Sequence, residues 1–237
     1  MTQISPFHPE IDAIWHAVVS SGARSVAVVS AEPGEGTTLI AGALARRAGL
    51  SIAADRGGSG RAAATSLLVD LNLDRPGVAR VLGLRPLPGE IVRLDALGMA
   101  VLADIGIAGA EGWREPAQLA SRLDAWRSDW GMVVLDTAPL LSSNSDIVPG
   151  TTAAAAADAT VLVTLAGRTA TNRIREAREK LAAVGANVIG AVLNDRDNPS
   201  LLTELDRETW RLAKIFPRQM ANLRAWLHRK PALLARI

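Results

Sequence analysis

The sequence of 237 residues contains no cysteine, no tyrosine and only two phenylalanines. Without cysteine it has no disulfide framework and no thiolate metal site, which is typical of a cytoplasmic protein. Without tyrosine it offers no phenolic oxygen for phosphorylation. No apolar run is long enough to span a bilayer, because Asp158 interrupts the nearest candidate, residues 152–167. The N-terminus lacks the basic and apolar segments of a signal peptide, so we expect a cytoplasmic protein.

Charge is unevenly distributed along the chain, and lysine does not occur before Lys180. Residues 207–237 contain eight Lys and Arg side chains and one acidic side chain, a net charge of +7. Because the whole chain carries +2, residues 1–206 carry −5. Apolar side chains of the basic segment recur at helical spacing: Leu212, Ile215, Phe216, Met220, Leu223 and Leu227. We therefore predict a domain over residues 1–206 and a basic amphipathic extension over residues 207–237.

A glycine-rich turn between a strand and a helix is the most informative local pattern. The run from Val26 to Val29 is typical of a buried parallel strand, and Glu32-Pro-Gly-Glu-Gly36 is a tight turn. A helix is predicted from Leu39 to Arg47. In this layout backbone amides and a helix N-terminus converge on one anion. The usual phosphate-binding pattern has Lys after the second glycine, but here Thr37 takes that position and Thr38 follows it.

Two later apolar runs end in aspartate. Asp70 lies at the end of the run that starts at Ser66, and Asp136 ends the run that starts at Met132. Ligands bind at the carboxyl ends of parallel strands, where aspartates hold Mg²⁺ through water. We therefore predict Thr38, Asp70 and Asp136 as metal-binding residues, and both aspartates as catalytic if the protein is active. The alternative is that the aspartates cap strand ends and Thr38 caps a helix.

Apolar strands alternate with helical patterns, which predicts an α/β fold with a doubly wound, mainly parallel sheet. Such a sheet beside a phosphate-binding turn is the P-loop nucleoside triphosphatase type. Further strands are predicted at residues 99–103, 160–165 and 188–193. Helices are predicted at residues 9–20, 75–82, 116–128 and 171–184, with a surface insertion at residues 50–65 and a helical segment from Asp146.

Three segments resemble motifs of the bacterial tyrosine autokinases: Pro33-Gly-Glu-Gly36, Leu68-Val-Asp-Leu-Asn-Leu-Asp-Arg-Pro76 and Val134-Leu-Asp-Thr-Ala-Pro139. These kinases act with polysaccharide co-polymerases in capsule and exopolysaccharide assembly, and they belong to the wider group of division-site and partition ATPases. The similarity spans most of the chain, from Ser5 to Pro199. It implies ATP or ADP with Mg²⁺ as weakly bound cofactor, contacted by Pro33, Gly34, Glu35, Gly36, Thr37, Thr38, Leu39 and Asn194. A turn-forming role for Asn194 is an equal alternative.

The chain departs from the family pattern at several functional positions. Thr37 replaces the lysine of the phosphate-binding turn, and Asn72 and Asp74 stand where the second motif has Asp and Arg. On the N-terminal helix, Ala13 and His16 replace the arginines used for ring assembly. The tyrosine cluster that accepts phosphate in the family has no counterpart, because the chain lacks tyrosine altogether. These departures indicate a degenerate kinase.

The resulting hypothesis is a tyrosine-kinase-like regulator of exopolysaccharide synthesis or export, for a capsule or an adhesive polysaccharide. Its expected partner is a polysaccharide co-polymerase, a chain-length determinant of the inner membrane. The basic extension is expected to associate with an anionic membrane surface, and no nucleic-acid partner is expected. Enzymatic activity stays open. The alternatives are an ATPase or kinase that phosphorylates tyrosine on another protein, and a membrane-positioning ATPase of the division-site type.

Overall fold

In the computed structural model, helices cover both faces of a seven-stranded sheet. The structure describes residues 4–55, 65–106, 110–142 and 147–196, with Thr209 and Met220 as isolated positions. The chain divides into two compact units, residues 1–164 with 169–192 and residues 165–168 with 193–237. Within the described ranges, no helix is long and apolar enough to cross a membrane.

The elements alternate along the chain as the sequence predicts. The strands are β1 (Ser25–Ser30), β2 (Ser66–Asp70), β3 (Ile91–Leu94), β4 (Met99–Leu102), β5 (Met132–Asp136), β6 (Ala159–Leu165) and β7 (Val188–Asn194). The helices are α1 (Pro9–Ser20), α2 (Thr37–Asp55), α3 (Val78–Leu82), α4 (Pro116–Asp129), α5 (Gly150–Ala156) and α6 (Thr171–Ala183). Short 3₁₀ turns lie at Asp95–Leu97 and Glu111–Arg114.

The strand order is β3-β4-β2-β5-β1-β6-β7. The pairs β4–β2, β2–β5, β5–β1 and β1–β6 are parallel, whereas β3 is antiparallel to β4. This arrangement confirms the predicted doubly wound, mainly parallel sheet. It also makes β1, β5 and β2 neighbours, so the ends of these three strands lie at one edge of the sheet.

Strand β1 illustrates how the sheet is buried on both faces. Val26 and Val28 pack in one apolar cluster with α1 and α2, while Val29 packs in another with α6. A third cluster joins β2 and β5 to α4, where Trp126 is buried. Because adjacent side chains of a strand point to opposite faces, a continuous apolar run requires helices on both sides.

Several predicted elements differ from the observed ones. Helix α2 begins at Thr37 and continues to Asp55, so the predicted insertion does not begin at Leu50. Gly49, inside this helix, passes so close to the next layer that a Cβ there would lie 2.1 Å from the carbonyl oxygen of Gly98. The predicted remainder of the insertion, residues 56–64, lies outside the described residues.

Strand β3 was not predicted from the sequence. It lies at the edge of the sheet, is only partly buried and contains Arg93, so it has no continuous apolar run. Helix α3 starts at Val78 rather than Arg75, because Pro76 and Gly77 precede it. The predicted helical start at Asp146 lies outside the described residues, as does the extension 207–237 apart from Thr209 and Met220.

Candidate functional site

The phosphate loop, residues 32–38, connects β1 to α2 in the predicted manner. Gly34 and Gly36 adopt left-handed backbone angles, with φ of 83° and 99°. The N–H groups of Leu39 and Ile40 both donate to the carbonyl oxygen of Gly36 at 3.1 Å, so the turn leads directly into a helix of 19 residues. The N-terminus of such a helix favours an anion through its unpaired amides and dipole. The backbone of an anion site is therefore present although the lysine is not.

Asp136 is a completely buried carboxyl group beside this helix start. Neither of its oxygens has a hydrogen-bond partner among the described residues. Burial, and secondly the charge of Asp70, raise the pKa of Asp136 from 3.8 to about 8. The hydroxyls of Thr38 and Thr37 face the carboxyl and oppose this rise in pKa, although neither reaches the geometry of a hydrogen bond. A buried carboxyl in this state lacks the positive or donating partner that buried polar groups normally have.

The residues around Asp136 fit a magnesium ion. The partnerless carboxyl lies next to the hydroxyl of Thr38, and both are hard oxygen donors of the kind Mg²⁺ prefers. Among the described residues, no group of three or more acidic, histidine or cysteine side chains could bind a metal alone. Water and phosphate oxygens would therefore complete the coordination of an ion held by Thr38 and Asp136. When bound, the ion would offset the negative charge of a polyphosphate.

Asp70 has a different environment from Asp136, although the two residues are paired in register on β2 and β5. Its Oδ2 accepts hydrogen bonds from the N–H groups of Gly77 at 2.9 Å and Val78 at 3.0 Å. Its Oδ1 accepts a bond from the N–H of Asn72 at 3.1 Å. Burial raises the pKa of Asp70, and these three N–H groups oppose the rise. Asp70 thus fixes the turn after β2 and the start of α3.

The turn that Asp70 stabilises lies directly against the hydroxyl group of Thr38. A Cβ atom added to Gly77 would lie 2.7 Å from Oγ1 of Thr38. Thr38 of the phosphate loop is therefore in contact with Gly77, which directly follows the second sequence motif. The role of Asp70 as a metal ligand or catalytic residue stays a prediction, and its hydrogen bonds give it a structural role in any case.

Both glutamates of the phosphate loop are tied to the residues that begin α6. Oε1 of Glu32 accepts a hydrogen bond from Nε of Arg173 at 2.7 Å. Glu35 is almost fully buried; its Oε2 accepts from the N–H of Glu32 at 3.0 Å, and its Oε1 accepts from the hydroxyl of Thr169. The ion pair with Arg173 therefore compensates the charge of Glu32 beside the loop.

The structure brings together most of the predicted residues, namely those of the phosphate loop with Leu39, Asp70 and Asp136. Asn194 belongs to the other compact unit, where its Oδ1 accepts the N–H of Arg196 at 3.1 Å. This bond is of the turn-forming kind, and the role in adenine recognition stays a prediction. Sequence reasoning missed Thr169 and Arg173. Arg173 is 141 positions from Glu32, so no local pattern links them.

No family model matches the sequence, and no curated protein is similar enough to be matched. Solved structures do share its fold. The chimerical protein CapA2B2 superimposes with a TM-score of 0.62 at 19% identity, over 80% of this chain and 86% of that one. The kinase domain of VpsO gives 0.60 at 24% identity, over 77% and 90%. The kinase domain of the Escherichia coli tyrosine kinase ETK gives 0.60 at 16%, over 79% and 74%.

The chain has the fold of bacterial tyrosine kinase domains. Other solved structures share this fold too. Cobyrinic acid a,c-diamide synthase from Mycobacterium smegmatis, solved with ADP and magnesium, gives a TM-score of 0.53 at 21% identity, over 72% of this chain and 74% of that one. At these identities the similarity establishes the architecture alone.

Proposed function

We propose that this chain is a degenerate tyrosine-kinase-like P-loop protein that regulates exopolysaccharide synthesis or export with a membrane polysaccharide co-polymerase. The proposal is supported by the kinase-domain fold, by the three motifs of the sequence, and by the neighbours' names as kinases. One observation supports the proposal that the kinase site is degenerate. The backbone of the phosphate loop and the partnerless Asp136 are retained, while Thr37 replaces the lysine.

In this proposal different residues contact different parts of ATP or ADP and Mg²⁺. The backbone of residues 33–39 surrounds the phosphates, and Thr38 and Asp136 hold the metal ion. Asp70 orients the turn that contacts Thr38. Thr37 offers a hydroxyl where a lysine would offset the charge that develops on the γ-phosphate. Loss of one preorganised donor costs on the order of 10²–10³ in rate, so nucleotide would act mainly as a bound signal.

Calorimetric titration of Mg-ADP and Mg-ATP into the wild type and Thr37→Lys tests this proposal. We expect weak binding by the wild type and at least about tenfold tighter binding by the variant, since a cation in contact with phosphate adds more than about 1.4 kcal/mol. Thr38→Ala is the matched control, because it removes the neighbouring hydroxyl and should weaken binding. Equally tight binding by the wild type and Thr37→Lys would contradict the degenerate state.

Turnover separates the regulator from the active enzyme. We expect no sustained phosphate release by the wild type and no labelling of the protein from ATP. Robust hydrolysis, or phosphate transferred to serine, threonine or a tyrosine of another protein, would instead support an active ATPase or kinase. A co-polymerase or glycosyltransferase encoded beside this protein would support the polysaccharide pathway.

The proposed location is the cytoplasm, peripheral to the inner membrane. The +7 charge of residues 207–237 supports contact with an anionic leaflet or with an acidic face of the co-polymerase. Flotation with anionic vesicles should decrease when Arg211, Lys214 and Arg218 are changed to Gln in the full chain. Unchanged flotation would assign the binding to another surface, and capture of the co-polymerase would then test the protein partner.

A further inference from the structure

The phosphate loop has an unfavourable charge distribution for a site that binds phosphate. It carries two carboxylates, Glu32 and Glu35, and it lacks the lysine that would offset them. Negative side chains close to an anion site raise the free energy of the bound anion, most strongly where water is excluded. Glu35 is 3% exposed, so water does little to screen its charge. A cation from elsewhere in the fold would offset this negative charge.

Arg173 provides a cation at the required place. Its Nε lies 2.7 Å from Oε1 of Glu32, and its Nη1 lies 2.7 Å from Oε2 of Glu176 one turn further along α6. The side chain of Arg173 is 34% exposed and that of Glu32 is 39% exposed, so the pair is partly shielded from solvent. Glu176 binds the guanidinium group from the helix side, while Nε of Arg173 faces the loop. These two contacts limit the orientations that the arginine can adopt.

A second contact ties the same two segments together. The hydroxyl of Thr169, just before α6, donates to the buried carboxylate of Glu35, whose other oxygen accepts the N–H of Glu32. Both carboxylates of the loop are thus held by residues 169–176. The loop must keep Gly34 and Gly36 at positive φ for its amides to converge, and these cross-links restrain the segment in which both glycines lie.

We propose that Arg173 is a positioning residue of the nucleotide site, which neutralises Glu32 and holds the phosphate loop in its anion-binding shape. It acts through Glu32 and not by contact with the reacting atoms. A residue of α6 thus places positive charge near the loop. This replaces part of the positive charge that the lysine of the usual pattern would provide. The proposal rests on the proposed function for its ligand, a nucleoside diphosphate or triphosphate with Mg²⁺, but its structural part concerns the loop without ligand.

The test compares Arg173→Gln with Arg175→Gln, which removes an exposed arginine from the same helix. Two measurements are made on the full chain: amide hydrogen exchange of the loop peptides without ligand, and Mg-ADP affinity by calorimetry. We expect Arg173→Gln to accelerate exchange in residues 31–40 and to weaken Mg-ADP binding about fivefold, as for a partly shielded charge-assisted pair. Arg175→Gln should match the wild type in both measurements.

Two further variants identify Glu32 as the residue through which Arg173 acts. Arg173→Gln combined with Glu32→Gln should recover much of the Mg-ADP affinity, because the charge that Arg173 neutralises at Glu32 is then absent. Arg173→Lys, which keeps the charge but loses the fixed geometry, should give intermediate exchange and affinity. If Arg173→Gln weakened binding equally with and without Glu32→Gln, the arginine would act on another group and the proposal would be wrong.

The failures of the two proposals are distinguishable. If the wild type does not bind Mg-ADP at all, the proposed function fails, while the exchange measurement still decides whether Arg173 orders the loop. If the wild type binds Mg-ADP and Arg173→Gln matches Arg175→Gln in exchange and affinity, the inference about Arg173 is overturned and the proposed function stands. Faster exchange throughout the domain, rather than in the loop, would also overturn it, since Arg173 would then act on global stability.

Discussion

Asp70 and Asp136 look equivalent in the sequence and differ sharply in the structure. Each ends an apolar strand, each is completely buried, and the two are paired in register on adjacent parallel strands. The carboxylate of Asp70 accepts bonds from the backbone N–H groups of Asn72, Gly77 and Val78. That of Asp136 has no hydrogen-bond partner among the described residues. The same sequence signal therefore yields one structural cap and one carboxyl available to a ligand.

The difference arises from the path of the chain after each strand. After β2 the chain turns back within eight residues, and the N–H groups at the start of α3 reach Asp70. After β5 the chain leads away from Asp136, where Thr137 donates to the carbonyl oxygen of Val28 and Leu140 pairs with Ser30. Asp136 is thus left facing the threonines at the start of α2. The two carboxyl groups therefore differ because backbone N–H groups reach Asp70, whereas none among the described residues reaches Asp136.

We expect the largest effect from Asp70→Ala, which removes the acceptor of three N–H groups. A buried donor left without an acceptor costs about 1–3 kcal/mol, so a net destabilisation of about 2–4 kcal/mol is expected. Thermal unfolding should then occur about 5–15 °C lower. Asp70→Asn is the matched control, since it keeps one acceptor oxygen and should lose less. An alanine variant as stable as the wild type would show that these bonds contribute little.

Asp136→Asn, in contrast to Asp70→Ala, should stabilise the protein against unfolding. The stabilisation should grow as the pH becomes alkaline. Because the pKa of Asp136 is raised from 3.8 to about 8, the folded protein keeps a proton that the unfolded chain has released between those values. The stabilisation is fully present below the unfolded pKa and is lost as the pH rises through the folded pKa. Asparagine mimics the protonated carboxyl and removes this loss.

Thermal unfolding without Mg²⁺, near pH 6 and near pH 9, measures the difference. We expect the melting temperature of Asp136→Asn, relative to the wild type, to rise by about 5 °C between the two pH values. Asp70→Asn, measured in parallel, should show a smaller gain, because three backbone N–H groups oppose the rise in the pKa of Asp70. A difference between Asp136→Asn and the wild type that is independent of pH would contradict the raised pKa.

A smaller effect is expected from Mg²⁺ alone. If Thr38 and Asp136 hold the ion, Mg²⁺ at about ten times its dissociation constant should stabilise the wild type by about 1.4 kcal/mol near pH 9. The effect should shrink near pH 6, where a proton competes for Asp136, and it should be absent in Asp136→Asn. Equal stabilisation of both proteins would place the bound ion elsewhere.

The smallest effect is expected from Gly77→Ala, which alters the contact between the two motifs. The added Cβ would lie 2.7 Å from Oγ1 of Thr38 and 3.1 Å from its Cγ2, so the threonine has to move. We expect about 1 kcal/mol of destabilisation and weaker Mg-ADP binding. Gly42→Ala in α2 is the control, because no atom beyond its chain neighbours and the adjacent helix backbone lies within 4 Å of its added Cβ, and it should be neutral or stabilising. Identical behaviour of the two variants would contradict a close contact at Thr38.

The sequence by itself determined the elements that depend on local pattern. Apolar β-branched runs located β1 and β5, the glycine turn located the phosphate loop, and proline located the starts of α1 and α4. Parallel strands end at one edge, so alternation of strands and helices was enough to bring Asp136 near Thr38. These features follow from the chemistry of neighbouring residues, which is why the fold class and the positions of most candidate site residues were predictable, while their roles stay predictions.

Only the tertiary structure decided how these residues differ in environment. It gave Asp70 its three backbone partners, left Asp136 without one in the described parts of the chain, and placed Arg173 against Glu32 across 141 positions of sequence. It also added β3, an edge strand too exposed and polar to leave a pattern. Burial and hydrogen-bond partners are properties of the packed chain, because the groups that set them come from loops and helices distant in sequence.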